Sequence, residues 1–339
     1  MKGKVFSFGE LLLRISPSPA EKQPFTSYIG GAEVNTASAL AQWGVPTAYF
    51  TALPDNFVSE NIISHLQSFG IDTSAIKLFG DRQGIYYLAQ GADLKSSVVY
   101  DRTGSSFANL TRGIIDWDAV LEGVCWLNMS AISPAINAAV ADVCLEALEA
   151  ASQKNITISI DLNYRSRLWK YGKEPIDIMP ALVQYCDVIM GNIWAANTML
   201  GITVEPNIPE TFGKNEYLQL AHTSSVELVK KFPRCKHVGY TFRFDQDAQD
   251  VRYYSSLYSG GGQYSSSEYK TNKIVDRSGS GDCFMAGLIY GFYNQHPPQD
   301  IVNFATAAAF GKLHEKGDST QMDVGSVKSI HQDQDSKVI

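Results

Sequence analysis

Short apolar runs alternate along the chain with longer segments that have the spacing of amphipathic helices. The first run, 5–8 (VFSF), ends at Gly9, and the glycine pair at 30–31 leads into a helical segment that stops at Gly44. Further apolar runs lie at 47–53, 124–130, 156–163, 187–192 and 237–242, and further helical segments at 58–71, 136–155, 179–186 and 222–232. Nearly continuous apolar strands separated by helices are typical of buried parallel strands. We therefore predict an α/β fold with a doubly wound, mostly parallel sheet flanked by helices.

Two stretches interrupt this alternation. Residues 11–29 and 84–107 are rich in β-branched and aromatic residues, alternate in polarity and contain no helical segment. They predict hairpins outside the main sheet, which we interpret as a small β-sheet lid on a single domain spanning residues 1–330. Such a sheet has an edge and an apolar face, so we expect a homo-oligomer that forms through the lid. Residues 331–339 are mostly polar and are expected to fray.

Charge and cysteine usage narrow the class of protein. The 339 residues carry a formal net charge of -7, which disfavours a general nucleic-acid or membrane-surface binder. The five cysteines include no CxxC pair, which is typical of reduced thiols in a cytosolic protein. The first residues predict a strand rather than a signal peptide, and no apolar run approaches the roughly 18 residues of a membrane helix. We expect a cytoplasmic protein with no nucleic-acid or membrane partner.

Residues 276–292 (DRSGSGDCFMAGLIYGF) combine a glycine turn with a carboxylate. A strand end precedes the turn and an apolar helix follows it, which is where open α/β sheets bind ligands and where helix N-termini bind anions. The stretch is not GxxxxGK[ST], and Phe284 stands where GxGxxG requires glycine. Two interpretations of Asp282 stand equally on the residues alone. It orients and deprotonates a hydroxyl that attacks a phosphoryl group held by the turn, or it is a favourable acid in a first helical turn.

Two long motifs resemble signatures of the ribokinase-like (PfkB) sugar kinases. DRSGSGD-x-F-x-AG is similar to their C-terminal signature and GGAEVNTASALAQWG to their N-terminal one, in the family's order and separation. The likeness runs over nearly the whole chain and implies a ribokinase-like fold. Position 280 is serine where the family usually has alanine, a small change for a backbone role. The resemblance implies Asp282 as the base for a sugar hydroxyl, Gly279, Ser280 and Gly281 as the anion hole, and Gly30, Gly31 and Asn35 on the sugar side.

Two arginine-containing segments bear on the charge of the sugar. In YDRTGSS and DLNYRSRLW, arginines lie next to predicted strand ends with tyrosines beside them. Such a guanidinium can bind a carboxylate in bidentate fashion, and a tyrosine can donate to it. The candidates are Arg102, Arg165, Tyr87 and Tyr100. Surface positions or contacts with ATP phosphates are the alternative for the two arginines.

Both segments resemble the 2-keto-3-deoxygluconate kinase branch of the family, as do the DR that opens the C-terminal motif and the TFR at 241–243. This resemblance implies a sugar-acid substrate. It implies Tyr100 and Arg102 on the sugar acid, and Arg165 near the sugar acid or the transferring phosphate.

The resemblance also implies ATP and Mg²⁺ as cofactors and allows a monovalent cation. Many relatives carry an N-x-x-E segment tied to magnesium and phosphate, whereas GNIWAAN has Ala195 at the acidic position. No residue is therefore assigned to the metal. The nucleotide-binding candidates, from GNIWAAN, TFRF and NFATAAAFG, are Asn192, Thr241, Arg243 and Asn303.

These features favour an ATP-dependent kinase that phosphorylates the terminal hydroxyl of 2-keto-3-deoxygluconate. Two other hypotheses stay open: a kinase of a neutral sugar such as fructose or ribose, and a catalytically silent sugar-binding sensor. Ala195 is the only hint of a sensor, and the intact glycine turn with Asp282 argues against it. A nicotinamide-dependent oxidoreductase is disfavoured because the fingerprint glycines are missing.

Overall fold

The computed structural model describes residues 3–18, 23–89, 97–205, 208, 212–245 and 251–335. Its main sheet has nine strands, in the order β14-β13-β12-β11-β10-β9-β1-β4 with β15 paired to β13. They are β1 (Lys4–Phe8), β4 (Thr47–Phe50), β9 (Val124–Ser130), β10 (Thr157–Asp161), β11 (Val188–Gly191), β12 (His237–Asp245), β13 (Val251–Ser259), β14 (Gly262–Ser265) and β15 (Tyr269–Thr271). Neighbours from β4 to β12 are parallel, whereas β13 pairs antiparallel with β12, β14 and β15.

Helices cover both faces of this sheet. They are α1 (Ala32–Gln42), α2 (Phe57–Ser68), α3 (Trp117–Val120), α4 (Ala138–Gln153), α5 (Pro175–Val183), α6 (Ile193–Leu200), α7 (Lys214–Lys231), α8 (Ser280–Tyr293), α9 (Pro298–Lys312) and α10 (Val324–Asp335). Side chains of α1, α8, α9 and α10 share a buried cluster with Val5, whereas those of α4 to α7 share another with Phe6. Consecutive strand residues point to opposite faces, so one strand serves both clusters. The predicted mostly parallel α/β sheet is confirmed.

Four further strands form a separate small sheet, which we call the lid. They are β2 (Leu12–Ser18), β3 (Gln23–Gly30), β7 (Ile85–Ala89) and β8 (Ser97–Asp101), in the order β3-β2-β7-β8. The strands fall in the two stretches that interrupt the alternation, with β3 ending one residue later than expected. A two-stranded pair, β5 (Ala52–Leu53) and β6 (Lys77–Leu78), completes the strands. The lid exposes Phe25, Tyr87 and Val99 on its outer face, and a homo-oligomer through this face stays a prediction.

The C-terminal helix overlaps the first residues of the tail that is expected to fray, and the fraying stays a prediction. Helix α10 continues to Asp335, past residue 330, and residues 336–339 lie outside the described part of the chain. The helix is held because Asp323 Oδ1 accepts a hydrogen bond from Ser326 N at 2.7 Å and Val327 is buried in the core. The boundaries of a single domain over residues 1–330 stay a prediction. Within the described residues, every helix is too short or too polar to cross a membrane.

Candidate active site

A cavity of about 450 Å³ lies between the carboxyl ends of the parallel strands and the lid. The ends of β10, β11 and β12 contribute to its wall, as do lid strands β7 and β8 and the first residues of α1 and α8. Strand ends, helix starts and lid therefore face one space. This is the position at which doubly wound sheets bind ligands.

The start of α8 is an uncapped helix N-terminus that opens into this cavity. Gly279 is its N-cap, with φ 77°, and no side chain caps the helix. The first helical hydrogen bond runs from Cys283 N to Gly279 O, at 2.9 Å, so the three amides before it precede the helical ladder. A Cβ added at Gly281 would have no neighbour nearer than Met190 Cε, at 3.9 Å. Free amides, a helix dipole and open space together suit an anion such as a phosphoryl group.

Asp282 lies in the first turn of this helix and is buried, with 8% of its surface exposed. Its Oδ2 accepts a hydrogen bond from Asn35 Nδ2 at 2.7 Å, which joins the start of α8 to α1. Burial raises the pKa of Asp282 to about 6, while the hydrogen bond from Asn35 and the charge of Arg165 act to lower it. A carboxylate with a pKa in this range can accept a proton from a hydroxyl near neutral pH.

Four more buried carboxyl groups line the cavity, those of Glu10, Glu33, Asp161 and Asp318, and the sequence analysis assigned none of them to the site. Asp161 ends β10, and burial together with the charge of Asp282 raises its pKa to about 7. Burial also raises the pKa of Glu33 to about 7, although Glu33 Oε1 accepts hydrogen bonds from Ser130 N at 2.8 Å and Ser130 Oγ at 2.6 Å. Asp161 had a usable signal, because a carboxylate at the end of a predicted parallel strand falls at the ligand edge. Glu33 lies within helix α1, and no pattern in the sequence indicates that its side chain faces the cavity.

The two arginines singled out from the sequence both line the cavity but differ in environment. Arg102 is 5% exposed, is ion-paired with Glu10, and has its guanidinium carbon 5.9 Å from the ring centre of Tyr100. Its Nε and Nη1 are buried and have no hydrogen-bond partner among the described residues. Arg165 is exposed, and its charge acts to lower the pKa of both Asp161 and Asp282.

Residues 2–324 match the sequence profile of the pfkB family of carbohydrate kinases. The chain belongs to this family. The solved structure of 2-dehydro-3-deoxygluconokinase from Thermotoga maritima is similar, with a TM-score of 0.89 and 33% identity over 98% of this chain and 99% of that one. The ribokinase-like fold and the assignment as a carbohydrate kinase are therefore confirmed. Kinases of this family use ATP with Mg²⁺.

Curated relatives bear different substrate names. The kinase is 29% identical over 174 residues to 2-dehydro-3-deoxygalactonokinase from Haloferax volcanii, and that alignment covers 50% of this chain and 54% of the relative. The match therefore spans only about half the length of that relative. Identity to 5-dehydro-2-deoxygluconokinase from Geobacillus kaustophilus is 25% over 298 residues, which is 85% of this chain and 80% of the relative.

Most of the other residues singled out from the sequence also lie at the kinase's cavity. Gly31 lines it with φ 139°, and a Cβ added there would lie 2.6 Å from Glu10 O. Gly30 does not line the cavity but packs against two residues that do, since an added Cβ would lie 2.9 Å from both Tyr86 Oη and Asp318 Oδ1. The remaining candidates whose side chains or backbone line the cavity are Asn35, Tyr100, Asn192, Thr241, Arg243, Gly279, Ser280 and Gly281.

Two further candidates lie away from the cavity wall. Tyr87 is 41% exposed on the outer face of the lid, whereas its neighbour Tyr86 lines the cavity, because adjacent strand residues alternate between faces. Asn303 does not line the cavity, and its Oδ1 accepts a hydrogen bond from Gln299 Nε2 at 3.0 Å along α9. Neither side chain contributes to the wall of this cavity.

The segment that departs from the family pattern has a structural role in this kinase. Asn192 Oδ1 accepts a hydrogen bond from Ala195 N at 2.8 Å and so caps α6. Ala195 is 2% exposed. Within the described ranges, no group of three or more His, Cys, Asp or Glu residues could hold a metal ion by itself.

Proposed function

We propose that this kinase transfers the γ-phosphoryl group of ATP to the terminal hydroxyl of 2-keto-3-deoxygluconate, forming the 6-phosphate. One observation carries the proposal: a buried carboxylate, Asp282, stands at an uncapped helix N-terminus inside an arginine-lined cavity. The two parts of this arrangement match the two needs of phosphoryl transfer. A base must receive the proton of the attacking hydroxyl, and fixed dipoles must stabilise the charge on the group in transit.

In the proposed reaction, Asp282 binds the attacking hydroxyl and accepts its proton. The backbone amides of 280–282 stabilise the negative charge on the transferring group. Asn35 orients the carboxylate through its hydrogen bond to Asp282 Oδ2, which keeps the other oxygen available for the sugar. The lid strands that line the cavity shield the reacting groups from water, which favours the sugar hydroxyl over hydrolysis.

The residues present fit a nucleotide with its metal. Anionic phosphates would meet the amides at the start of α8 and the guanidinium groups of Arg243 and Arg277, which line the same wall. Bound Mg²⁺ would neutralise phosphate charge during transfer. Asp161 and Asn192 offer oxygen atoms in this part of the cavity, and phosphates and water would supply the other ligands, as is usual for Mg²⁺.

A sugar acid is favoured over a neutral sugar by two observations. Buried Nε and Nη1 of Arg102 have no hydrogen-bond partner among the described residues, and buried donors of this kind are costly unless a ligand satisfies them. The similar kinases are named for dehydro-deoxy derivatives of gluconate or galactonate. We propose that Arg102 and Tyr100 bind the sugar carboxylate and that Arg165 lies near the transferring phosphate.

A substrate panel tests this proposal. ADP release would be measured with ATP and Mg²⁺ over 2-keto-3-deoxygluconate, 2-keto-3-deoxygalactonate, gluconate, fructose and ribose. The expected result is the highest kcat/KM for 2-keto-3-deoxygluconate. A higher kcat/KM for fructose or ribose would refute the sugar-acid assignment while leaving the kinase assignment intact.

A neutral sugar is the second candidate, and the ion pair between Glu10 and Arg102 is the observation that favours it. Glu10 already compensates the charge of Arg102, so a second carboxylate would have to share that guanidinium. Arg102→Ala separates the two substrates, because it raises KM for an acid sugar and changes KM little for a neutral one.

A further inference from the structure

Arg14, on lid strand β2, is fully buried and reaches the turn that precedes α8. Its exposed fraction is 0%. Its Nη1 donates to Ser278 Oγ at 2.7 Å, its Nη2 donates to Asp276 Oδ2 at 2.8 Å, and its Nε lies 3.1 Å from Asp318 Oδ2. The guanidinium carbon also lies 4.2 Å from the ring centre of Tyr28. A charge buried this deeply is tolerated only with such partners. Here the polar partners belong to two loops: the turn at 276–279 before α8, and a second loop at 317–319 after α9.

Asp276 ties those two loops together. Its Oδ1 accepts a hydrogen bond from Ser278 N at 3.0 Å, and its Oδ2 accepts one from Gly317 N at 3.3 Å. The backbone packing is equally close, because a Cβ added at Gly279 would lie 1.8 Å from Asp318 O. The glycine turn therefore rests directly on the second loop, and Arg14 binds both.

The second loop is also connected to Asp282, in the first turn of α8, through Asn35. Ser319, which follows Asp318, donates from Oγ to Asn35 Oδ1 at 3.2 Å. Asn35 Nδ2 in turn donates to Asp282 Oδ2 at 2.7 Å. A continuous set of contacts thus runs from Arg14 through this loop to Asp282.

Arg14 also balances charge beneath the helix start. Asp276 and Asp318 are each 3% exposed, and Lys312, at 0%, is a second buried cation that acts on both. Burial alone would raise the pKa of Asp276, but the hydrogen bond and charge of Arg14 lower it below its ordinary value. Without Arg14, two buried carboxyl groups would share one buried cation at the place where the transferring phosphoryl group brings more negative charge.

We infer that Arg14 is a positioning residue for phosphoryl transfer: from the lid, it holds the turn at 276–281 and Asp282 in the arrangement that receives the transferred group. Arg14 does not line the cavity, so it acts through Asp276, Ser278 and Asp318. The inference rests on the proposed function for the roles of Asp282 and the turn. The competing explanation is that Arg14 only stabilises the attachment of the lid.

Three variants separate these explanations: Arg14→Met, Arg14→Lys and the double variant Arg14→Met/Asp318→Asn. Arg14→Met should lower kcat by about 10–100-fold, the usual effect of removing a support behind a site residue, with the sugar KM within about threefold. Arg14→Lys keeps the positive charge but loses the planar guanidinium, which donates to several partners at once. Its kcat should therefore lie between those of the wild type and Arg14→Met. The double variant removes the unmatched carboxylate together with the cation, and its kcat should recover about tenfold relative to Arg14→Met.

The matched control is Arg234→Met. Arg234 is partly buried and ion-paired with Asp187 at 3.2 Å, and neither residue lines the cavity. This variant should lower the melting temperature while leaving kcat within about twofold, as expected for a change away from the site. Folding of every variant is checked by circular dichroism before kinetics.

The inference is overturned if folded Arg14→Met keeps the wild-type kcat, or if Arg14→Met and the double variant have equal kcat. If Arg14→Met does not fold, Arg14→Lys and the double variant decide, and wild-type kcat in both overturns it. Asp282→Asn is measured in the same series. Wild-type turnover in that variant would refute the proposed base whatever the Arg14 variants do, so the two failures are separately visible.

Discussion

The turn before α8 and the lid line one cavity but present different chemistry to it. The turn presents backbone amides of 280–282 that no side chain caps, ready for a charge that exists only during transfer. The edge of the lid presents a charge that already has a partner, because Arg102 just after β8 is ion-paired with Glu10 just before β2, and Nε and Nη1 of Arg102 have no hydrogen-bond partner among the described residues. We therefore expect the turn, with Arg14 behind it, to determine the reaction, and the cavity-lining side chains of and beside the lid to determine the substrate.

The largest effect is expected at the turn. Asp282→Asn should lower kcat by about 10²–10⁴-fold, the range for loss of a general base, because an amide cannot accept the hydroxyl proton. Sugar affinity, measured by calorimetry, should change little, since the amide keeps an oxygen acceptor. The matched control is Asp300→Asn, an exposed acid in the first turn of α9, which should leave kcat unchanged. Equal losses in the two variants would mean that Asp282 serves only the helix dipole.

A slightly smaller effect is expected when the amides are displaced without changing Asp282. Gly279→Ala adds a Cβ at φ 77° and 1.8 Å from Asp318 O, so the turn must move. We expect kcat to fall about 10²-fold, comparable to loss of one oxyanion-hole donor. Gly260→Ala is the control, because Gly260 has φ 59° but no atom within 4 Å of an added Cβ. Gly260→Ala should lower only the melting temperature. Equal losses of kcat in the two variants would contradict a role for the backbone amides of 280–282 in phosphoryl transfer.

Substitution of Arg102, which follows lid strand β8 and lines the cavity, should change substrate binding rather than turnover. Arg102→Ala should raise KM for the sugar acid about 10–100-fold, since hydrogen bonds to charged groups contribute about 1.5–3 kcal/mol. The kcat at saturation should change much less. Arg112→Ala removes a solvent-exposed arginine, ion-paired with Glu149 at 3.5 Å, and should leave KM unchanged. If Arg102→Ala mainly lowers kcat, the division between turn and lid is wrong.

The smallest expected effect is a shift in the pH profile. The pKa of Asp282 is raised to about 6, and the base is active when ionised, so kcat/KM should fall as pH drops through about 6. The charge of Asp282 raises the pKa of Asp161. Repulsion between two carboxylates is mutual, so Asp161→Asn should move the acid limb of the profile to lower pH by up to about one unit. Asp300→Asn again serves as the control. A limb that moves to higher pH in Asp161→Asn would contradict the coupling.

The contrast between turn and lid also explains what the sequence could predict. The turn and the helix after it are contiguous, so their chemistry was evident in residues 276–292. The contacts of the lid join distant parts of the chain: Arg14 and Asp276 are 262 positions apart, and no local pattern connects them. The sequence predicts Tyr87 on the sugar side, whereas Tyr86 lines the cavity, because a shift of one residue along a strand reverses which face a side chain occupies.

Phosphorus NMR of the product identifies both the substrate and the hydroxyl that the kinase phosphorylates. The kinase would be incubated with ATP, Mg²⁺ and 2-keto-3-deoxygluconate, and the new ester signal examined for coupling to carbon-bound hydrogens. The expected product is a phosphate ester whose phosphorus couples to the two hydrogens of the terminal carbon, as in the 6-phosphate. Absence of an ester from this acid, with an ester formed from fructose or ribose under the same conditions, would contradict the sugar-acid assignment.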